Sequence, residues 1–272
     1  MNWRRRRQLG QLLRFSLLGV VLIVFIFPFY WMLRTSILPT QMIYESTALI
    51  PQGFTLEHYG RVIDQGFLTP VRNSLVTAVG TTILTTVVSL FAAFSILRYR
   101  YPGRRRAAQL VLLTYMFPHV ALIIPMYMLA ANLGLLESPI TLIVVHTMLA
   151  LPFCVWILQS FLMDIPRELE EAALVVGAFL RITVPQAKPG IIAAGTFAYI
   201  MSWGEYMFAY VLLTDSDAFT VPVALESLLS GYVIEWGILA AASVLATLPV
   251  LALFWLMAKY LGEGIAKGTG VV

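Results

Sequence analysis

Apolar residues gather into six runs, over roughly Phe15–Leu33, Val71–Leu97, Ala107–Leu129, Thr141–Phe161, Ile191–Leu213 and Gly237–Tyr260. A helix needs about 20 such residues to cross ~30 Å of hydrocarbon, so each run is long enough to span a bilayer. The runs do not alternate at period two and are too long for barrel strands, so the pattern predicts helices. Polar stretches separate them: RYRYPGRRR lies between the second and third runs, and a segment rich in acids and bases lies between the fourth and fifth. Pro118, Pro125 and Pro152 fall inside runs. There they are expected to kink the helix and free backbone groups that neighbouring helices satisfy. The connection Thr35–Pro70 carries Pro, Gly and aromatic residues, which fits a folded or interfacial segment rather than a span. No internal repeat is visible. The layout is a basic N-terminus over 1–14, a membrane domain over 15–260 and a tail over 261–272.

Composition narrows the class. Hydrophobic residues make up 60% of the 272, and charged residues only 12%, about half the ~25% of soluble domains. No single soluble core of this size hides so much apolar side chain. A soluble enzyme, a disordered chain and a disulfide scaffold are thereby excluded, the last also because Cys154 stands alone. The fold class is an all-α membrane protein of six transmembrane helices.

Charge sets the orientation. With both termini in the cytoplasm, 15 of the 18 Lys and Arg lie inside, and only Arg34, Arg61 and Arg72 lie outside. Lys and Arg collect on the cytoplasmic side for topological reasons, so the net charge of +4 does not point to nucleic acid. Most acids fall on the outer loops, among them Glu45, Glu57, Asp64, Glu137, Asp215, Asp217, Glu226 and Glu235. The first run follows a basic start like a signal peptide, but it ends in FPFYWMLR without a small-residue cleavage site. It reads as an uncleaved anchor.

Candidate chemistry is sparse. No GxxxxGK[ST] occurs, so the chain has no phosphate-cradling loop of its own. His58, His119 and His146 lie in different segments without metal-ligand spacing. A single histidine in a span is read first as hydrogen-bonded to a neighbouring helix. Glu205, in SWGEYMFAYVLL, is the main intramembrane charge. A carboxylate there must face the bundle or a polar cavity. Two readings stay open: a substrate or gate contact, or a packing group bonded to Ser, Tyr or backbone. Trp203, Glu205, Tyr206 and Asn73 form the candidate translocation path. Scattered polar groups do not make a catalytic site. An ion-coupled secondary transporter is the alternative, but it predicts repeats and intramembrane charges that are not found.

The segment Asp164–Gly190 is polar and lies on the cytoplasmic side. Pro166 suits a first helical turn, and Glu168, Glu170 and Glu171 favour the positive end of a helix dipole. Gly177 can break that helix, and Pro185 and Pro189 punctuate the return to the membrane. The residues alone give a short helix, a bend and a second short element against the inner face.

ELEEAALVVGA followed by ITVP resembles the EAA loop of binding-protein-dependent ABC importer permeases. NSL at Asn73, GL at Gly134, the run from Ala150 to Ala173, SWGEYMFAYVLLT, TVPVAL and KYLGEGIAKG resemble the carbohydrate branch, in particular the smaller, six-span type of membrane subunit. The resemblance implies a permease in a bacterial or archaeal cell membrane, paired with a second, homologous permease. Two copies of a separate ATPase dock on the cytoplasmic face, and an extracytoplasmic binding protein delivers sugar. No cofactor is implied for this chain, since ATP and Mg belong to the ATPase. The segment over about 164–190 becomes the coupling loop, with Glu170, Glu171, Ala172, Ala173 and Gly177 facing the ATPase. The sequence departs from the family pattern here. The spacing from the loop glycine to the following Phe and Pro is about five residues short, and Val176 stands where an acid is usual. Either Gly177 is the loop glycine with a deletion after it, or a stretch is missing before Val176.

Overall fold

The structure, a computed structural model, describes residues 3–166, 179–231 and 233–268. Among these residues the regular structure is helical, without strands. In chain order the α-helices of six residues or more are α1 (Trp3–Ser36), α2 (Thr40–Glu45), α3 (Glu57–Asp64), α4 (Leu68–Arg98), α5 (Arg104–Tyr115), α6 (Ile123–Asn132), α7 (Pro139–Met163), α8 (Lys188–Trp203), α9 (Met207–Leu212), α10 (Val221–Leu229) and α11 (Trp236–Gly268). Four of them, α1, α4, α7 and α11, are long and apolar enough to cross a membrane without interruption.

The third predicted span is divided. Helix α5 ends at Tyr115, Pro118 starts a tight turn over His119–Leu122, and the two helical arms meet at 93°. Proline removes an N–H and clashes with the preceding turn, which accounts for a break there. Pro152, by contrast, is accommodated inside α7. The fifth predicted span is divided too, at Gly204–Tyr206 between α8 and α9.

The chain forms two units. The first comprises Met1–Phe67 and Ser227–Thr247. Its connection after α1 is folded, as its composition suggests. Thr55 N–H donates to Ile37 O at 2.8 Å, and the Ser36 and Tyr59 hydroxyls meet at 2.7 Å. His58 is buried, its Nε2 lies 2.8 Å from Leu38 O, and its ring packs flat onto Gly237. A Cβ on Gly237 would come within 2.3–2.6 Å of three ring atoms, so only glycine admits this approach. Arg61 pairs with Glu235 at 2.5 and 2.8 Å. Helix α1 presents most of its apolar side chains outward, which water does not tolerate and lipid does.

The second unit comprises Leu68–Glu226 and Leu248–Val272. Its centre is a three-helix packing of α4, α7 and α8 around Leu90, Ala93, Ala150, Cys154, Leu158, Ala194 and Ala198. Ala93, Ala150, Ala194 and Ala198 are fully buried. Small side chains let membrane helices approach closely, which replaces the hydrophobic drive that lipid removes. At Gly190 a Cβ would sit 2.7 Å from the Phe161 side chain. A second cluster packs Leu142, Val145 and Leu149 of α7 against Phe208, Ala209 and Leu212 of α9. The glycine of the GL motif closes α6. Gly134 is left-handed (φ 66°), its N–H donates to Ala131 O, and Leu135 N–H donates to Ala130 O. That pair of bonds is a Schellman stop, which requires positive φ at this position.

Candidate functional site

The break between α8 and α9 gathers one cluster of polar residues in the second unit. Helix α8 ends where Gly204 N–H closes on Ile200 O, and α9 begins at Met207. A new helix exposes N–H groups without intrahelical partners, and in an apolar setting these must be satisfied. The carboxylate of Glu205 does so. Oε1 accepts from Phe208 N–H at 2.9 Å and Oε2 from Ala209 N–H at 3.1 Å. Its negative charge also lies at the positive end of the short helix.

His146, on α7 and fully buried, reaches the same oxygen: Nε2 lies 3.1 Å from Glu205 Oε2. The carboxylate accepts, so the imidazole carries its proton on Nε2. Nδ1 lies 2.8 Å from Ser202 Oγ, and Ser202 Oγ lies 3.3 Å from Thr81 Oγ1 on α4. The chain Thr81, Ser202, His146, Glu205 thus ties α4, α7 and α8 to the start of α9. Glu205 keeps 11% of its side chain exposed, with three acceptances already made. The partners of Glu205 are thus a side chain of a neighbouring helix and two backbone N–H groups. His146 makes the bond to a neighbouring helix expected of a lone intramembrane histidine. Its partner Ser202 gave no signal in the sequence, because Thr81, His146 and Ser202 come together only by helix packing.

The other candidate residues lie apart from one another. Trp203 is buried and stacks on Tyr199 at 5.9 Å between ring centroids. Asn73 is buried on α4, and its Nδ2 donates to Asp217 O at 2.8 Å and Phe219 O at 3.1 Å. Beside it Ser74 Oγ accepts from Val221 N–H at 2.8 Å, at the start of α10. The Asn-Ser pair of the NSL motif therefore anchors the loop before α10. Tyr206 is half-buried against the second cluster, and its ring lies 5.3 Å from that of Tyr210, which is 51% exposed.

Glu137 is a second carboxylate clasp that sequence reasoning did not single out. It is the one described non-glycine residue with positive φ (59°), and it accepts from Thr214 N–H at 2.8 and 3.0 Å and from Asp215 N–H at 3.2 Å. On the opposite side of the unit, Arg98 at the end of α4 donates from Nη2 to Leu162 O at 3.1 Å and Ile165 O at 3.0 Å. It caps the C-terminus of α7 where the 164–190 segment begins. Glu170, Glu171, Ala172, Ala173 and Gly177 lie outside the described residues. Among the described residues no group of three or more His, Cys, Asp or Glu is placed to hold a metal ion.

This helical framework has known counterparts. A chain of a bacterial ABC transporter involved in the import of the acidic polysaccharide alginate superposes with a TM-score of 0.81 at 21% identity, over 96% of this chain and 99% of that one. The inner membrane ABC transporter permease protein YcjP of Escherichia coli (strain K12) is 32% identical, covering 97% of each chain. The diacetylchitobiose uptake system permease protein DasC of Streptomyces coelicolor is 32% identical over 92% of this chain and 93% of its own. The trehalose/maltose transport system permease protein MalG of Thermococcus litoralis is 31% identical over 93% and 94%. Residues 86–267 match the model of the binding-protein-dependent transport system inner membrane component. A framework of four helices of membrane-crossing length and similarity over more than nine-tenths of each of these relatives converge: the chain belongs to the family of binding-protein-dependent transport system inner membrane components.

Proposed function

We propose that this chain is the permease subunit of a sugar importer, forming a translocation path with a second, homologous permease. The observation that carries the reading is end-to-end similarity to permeases whose names specify diacetylchitobiose and trehalose/maltose uptake. In this reading the four uninterrupted helices and the two interrupted spans make six crossings. Both termini lie in the cytoplasm, in accord with the 15-to-3 distribution of Lys and Arg. An extracytoplasmic binding protein delivers the sugar, and a dimeric ATPase on the cytoplasmic face carries ATP and Mg.

The coupling loop over about 164–190, with Glu170, Glu171, Ala172, Ala173 and Gly177, docks on that ATPase. Closure of the ATPase moves the loop, and the bundle rocks between inward-open and outward-open states. Arg98 supports this role, because its two bonds to α7 carbonyls fix the point from which the loop leaves. A displaced loop would therefore act on α4 and α7 together. Glu205 and His146 hold the geometry of the interrupted fifth span, and Tyr206, half-buried beside them, is the path residue that meets a solute.

The test is co-purification and turnover. Tagged chain isolated from its native membrane should bring down an ATPase and a second permease, and the chain purified alone should show no ATP hydrolysis above a mock preparation. Uptake of labelled disaccharides should require all subunits. Hydrolysis by the isolated chain, or uptake driven by an ion gradient without the ATPase, would refute the reading.

A further inference from the structure

From the end of α4 into the first turn of α5 the chain carries Arg98, Arg100, Arg104, Arg105 and Arg106 within nine residues, and the last four of these arginines have no evident use in transport. No Asp or Glu occurs anywhere between Asp64 and Glu137. In the structure no carboxylate among the described residues pairs with Arg100, Arg104, Arg105 or Arg106. Arg104 donates from Nη1 to Tyr99 O at 3.2 Å, and the others are exposed.

The placement is electrostatically costly. Arg104, Arg105 and Arg106 form the first turn of α5, with no acid there and no side-chain cap. Cations at a helix N-terminus oppose its dipole. The positive-inside rule asks for cations on this side of the membrane, but it does not ask that three of them occupy the first turn of a helix. An external anion at this position would relieve both the mutual repulsion and the adverse dipole.

The surroundings identify the anion. The three arginines, with Tyr101, Pro102 and Gly103, line a cleft of 530 Å³. Gly103 is left-handed (φ 88°), which lets the chain turn sharply and brings the arginines around the cleft. On α5, Leu110 and Leu113 follow Arg106 at i+4 and i+7, so they lie on the same helical face. They stand about 6 and about 10 Å deeper along the axis, and are 60% and 58% exposed. A cationic rim leading onto an exposed apolar stripe has the shape of a lipid: phosphate at one end, acyl chain along the other. Exposed Tyr99 and Tyr101 flank the rim, as aromatic residues do at the level of lipid headgroups.

We propose that the cleft formed by Arg104, Arg105 and Arg106 binds the phosphate headgroup of an anionic phospholipid, whose acyl chain lies along Leu110 and Leu113. The proposal rests on the membrane orientation given above, which puts this loop on the cytoplasmic side. Basic clusters next to a membrane helix attract anionic lipid by roughly fivefold per Lys or Arg near the surface.

The experiment uses the full-length chain in detergent, with phosphatidylglycerol and phosphatidylcholine as probes and native mass spectrometry as readout. Wild type should retain phosphatidylglycerol over phosphatidylcholine by tenfold or more, and the preference should fall as salt rises. The triple variant Arg104→Gln, Arg105→Gln, Arg106→Gln should reduce the ratio toward one. An unchanged ratio in the variant overturns the proposal. If that variant does not fold, the wild type alone decides: a photoreactive phosphatidylglycerol should label the α5 segment around Leu110 and Leu113 more than its phosphatidylcholine counterpart. Equal or absent labelling overturns it. An unchanged lipid ratio together with lost ATPase co-purification would assign the arginines to the ATPase instead, and the lipid site would be wrong. Thiol labelling of Arg105→Cys from the two sides of the membrane tests the orientation separately, so a loop found outside would refute the topology without being mistaken for a failure of lipid binding.

Discussion

Replacing Glu205 by Ala removes one carboxylate from three partners at once. Phe208 and Ala209 lose the acceptor that caps α9, and loss of an N-terminal cap costs about 0.5–2 kcal/mol. His146, fully buried, is left with an Nε2 proton facing no acceptor, which adds about 1–3 kcal/mol. The sum is about 3 kcal/mol, and at roughly 2–4 °C per kcal/mol for a chain of this size it lowers the midpoint by about 6–12 °C. Glu205→Gln should cost much less. Its amide oxygen still caps α9, and its NH₂ can donate to Nε2 if the imidazole proton moves to Nδ1, toward Ser202. The assay is thermal unfolding of the purified chain in detergent, run beside sugar uptake by the reconstituted importer. The expected order of midpoints is wild type, then Gln, then Ala well below, with uptake following stability. A midpoint within about 2 °C of wild type in the Ala variant, with uptake abolished, would refute the clasp and make the carboxylate a direct participant in transport.

Gly237→Ala should destabilise the first unit by about 1–3 kcal/mol through overpacking. The His58 ring it meets is tied to Leu38 O and has no direction in which to retreat, and faster proteolysis between Ile37 and Leu56 would report the loss. Asn73→Leu removes both bonds to the Asp217 and Phe219 carbonyls and should free the loop before α10, read as faster amide exchange over residues 215–221. Arg98→Ala should reduce uptake several-fold while leaving the amount of co-purified ATPase unchanged, and Arg98→Lys should restore part of it, because an ammonium can donate to both carbonyls as Nη2 does but lacks the planar guanidinium that aims it.

The sequence alone determined the class and the positions of the long apolar helices. Each of these is a local property: a helix in lipid satisfies its own backbone, so length and hydropathy report it without reference to neighbours. The same locality let Pro118 announce the break between α5 and α6, and let Glu205 stand out as a carboxylate in an apolar run. What Glu205 touches was decided elsewhere. The network it ends, through His146, Ser202 and Thr81, draws on three helices, with Ser202 and Thr81 lying 121 residues apart, and no periodicity or motif records which faces meet. Asn73 and Trp203 carried no local mark of their neighbours, and packing set one against the loop before α10 and the other onto Tyr199. Arg98 looked like one more cytoplasmic cation until α4 and α7 aligned to put its guanidinium under two carbonyls. A polar side chain in a membrane bundle is placed by the helix opposite, and which helix stands opposite is fixed only when the small residues Ala93, Ala150, Ala194 and Ala198 let three backbones close on one another.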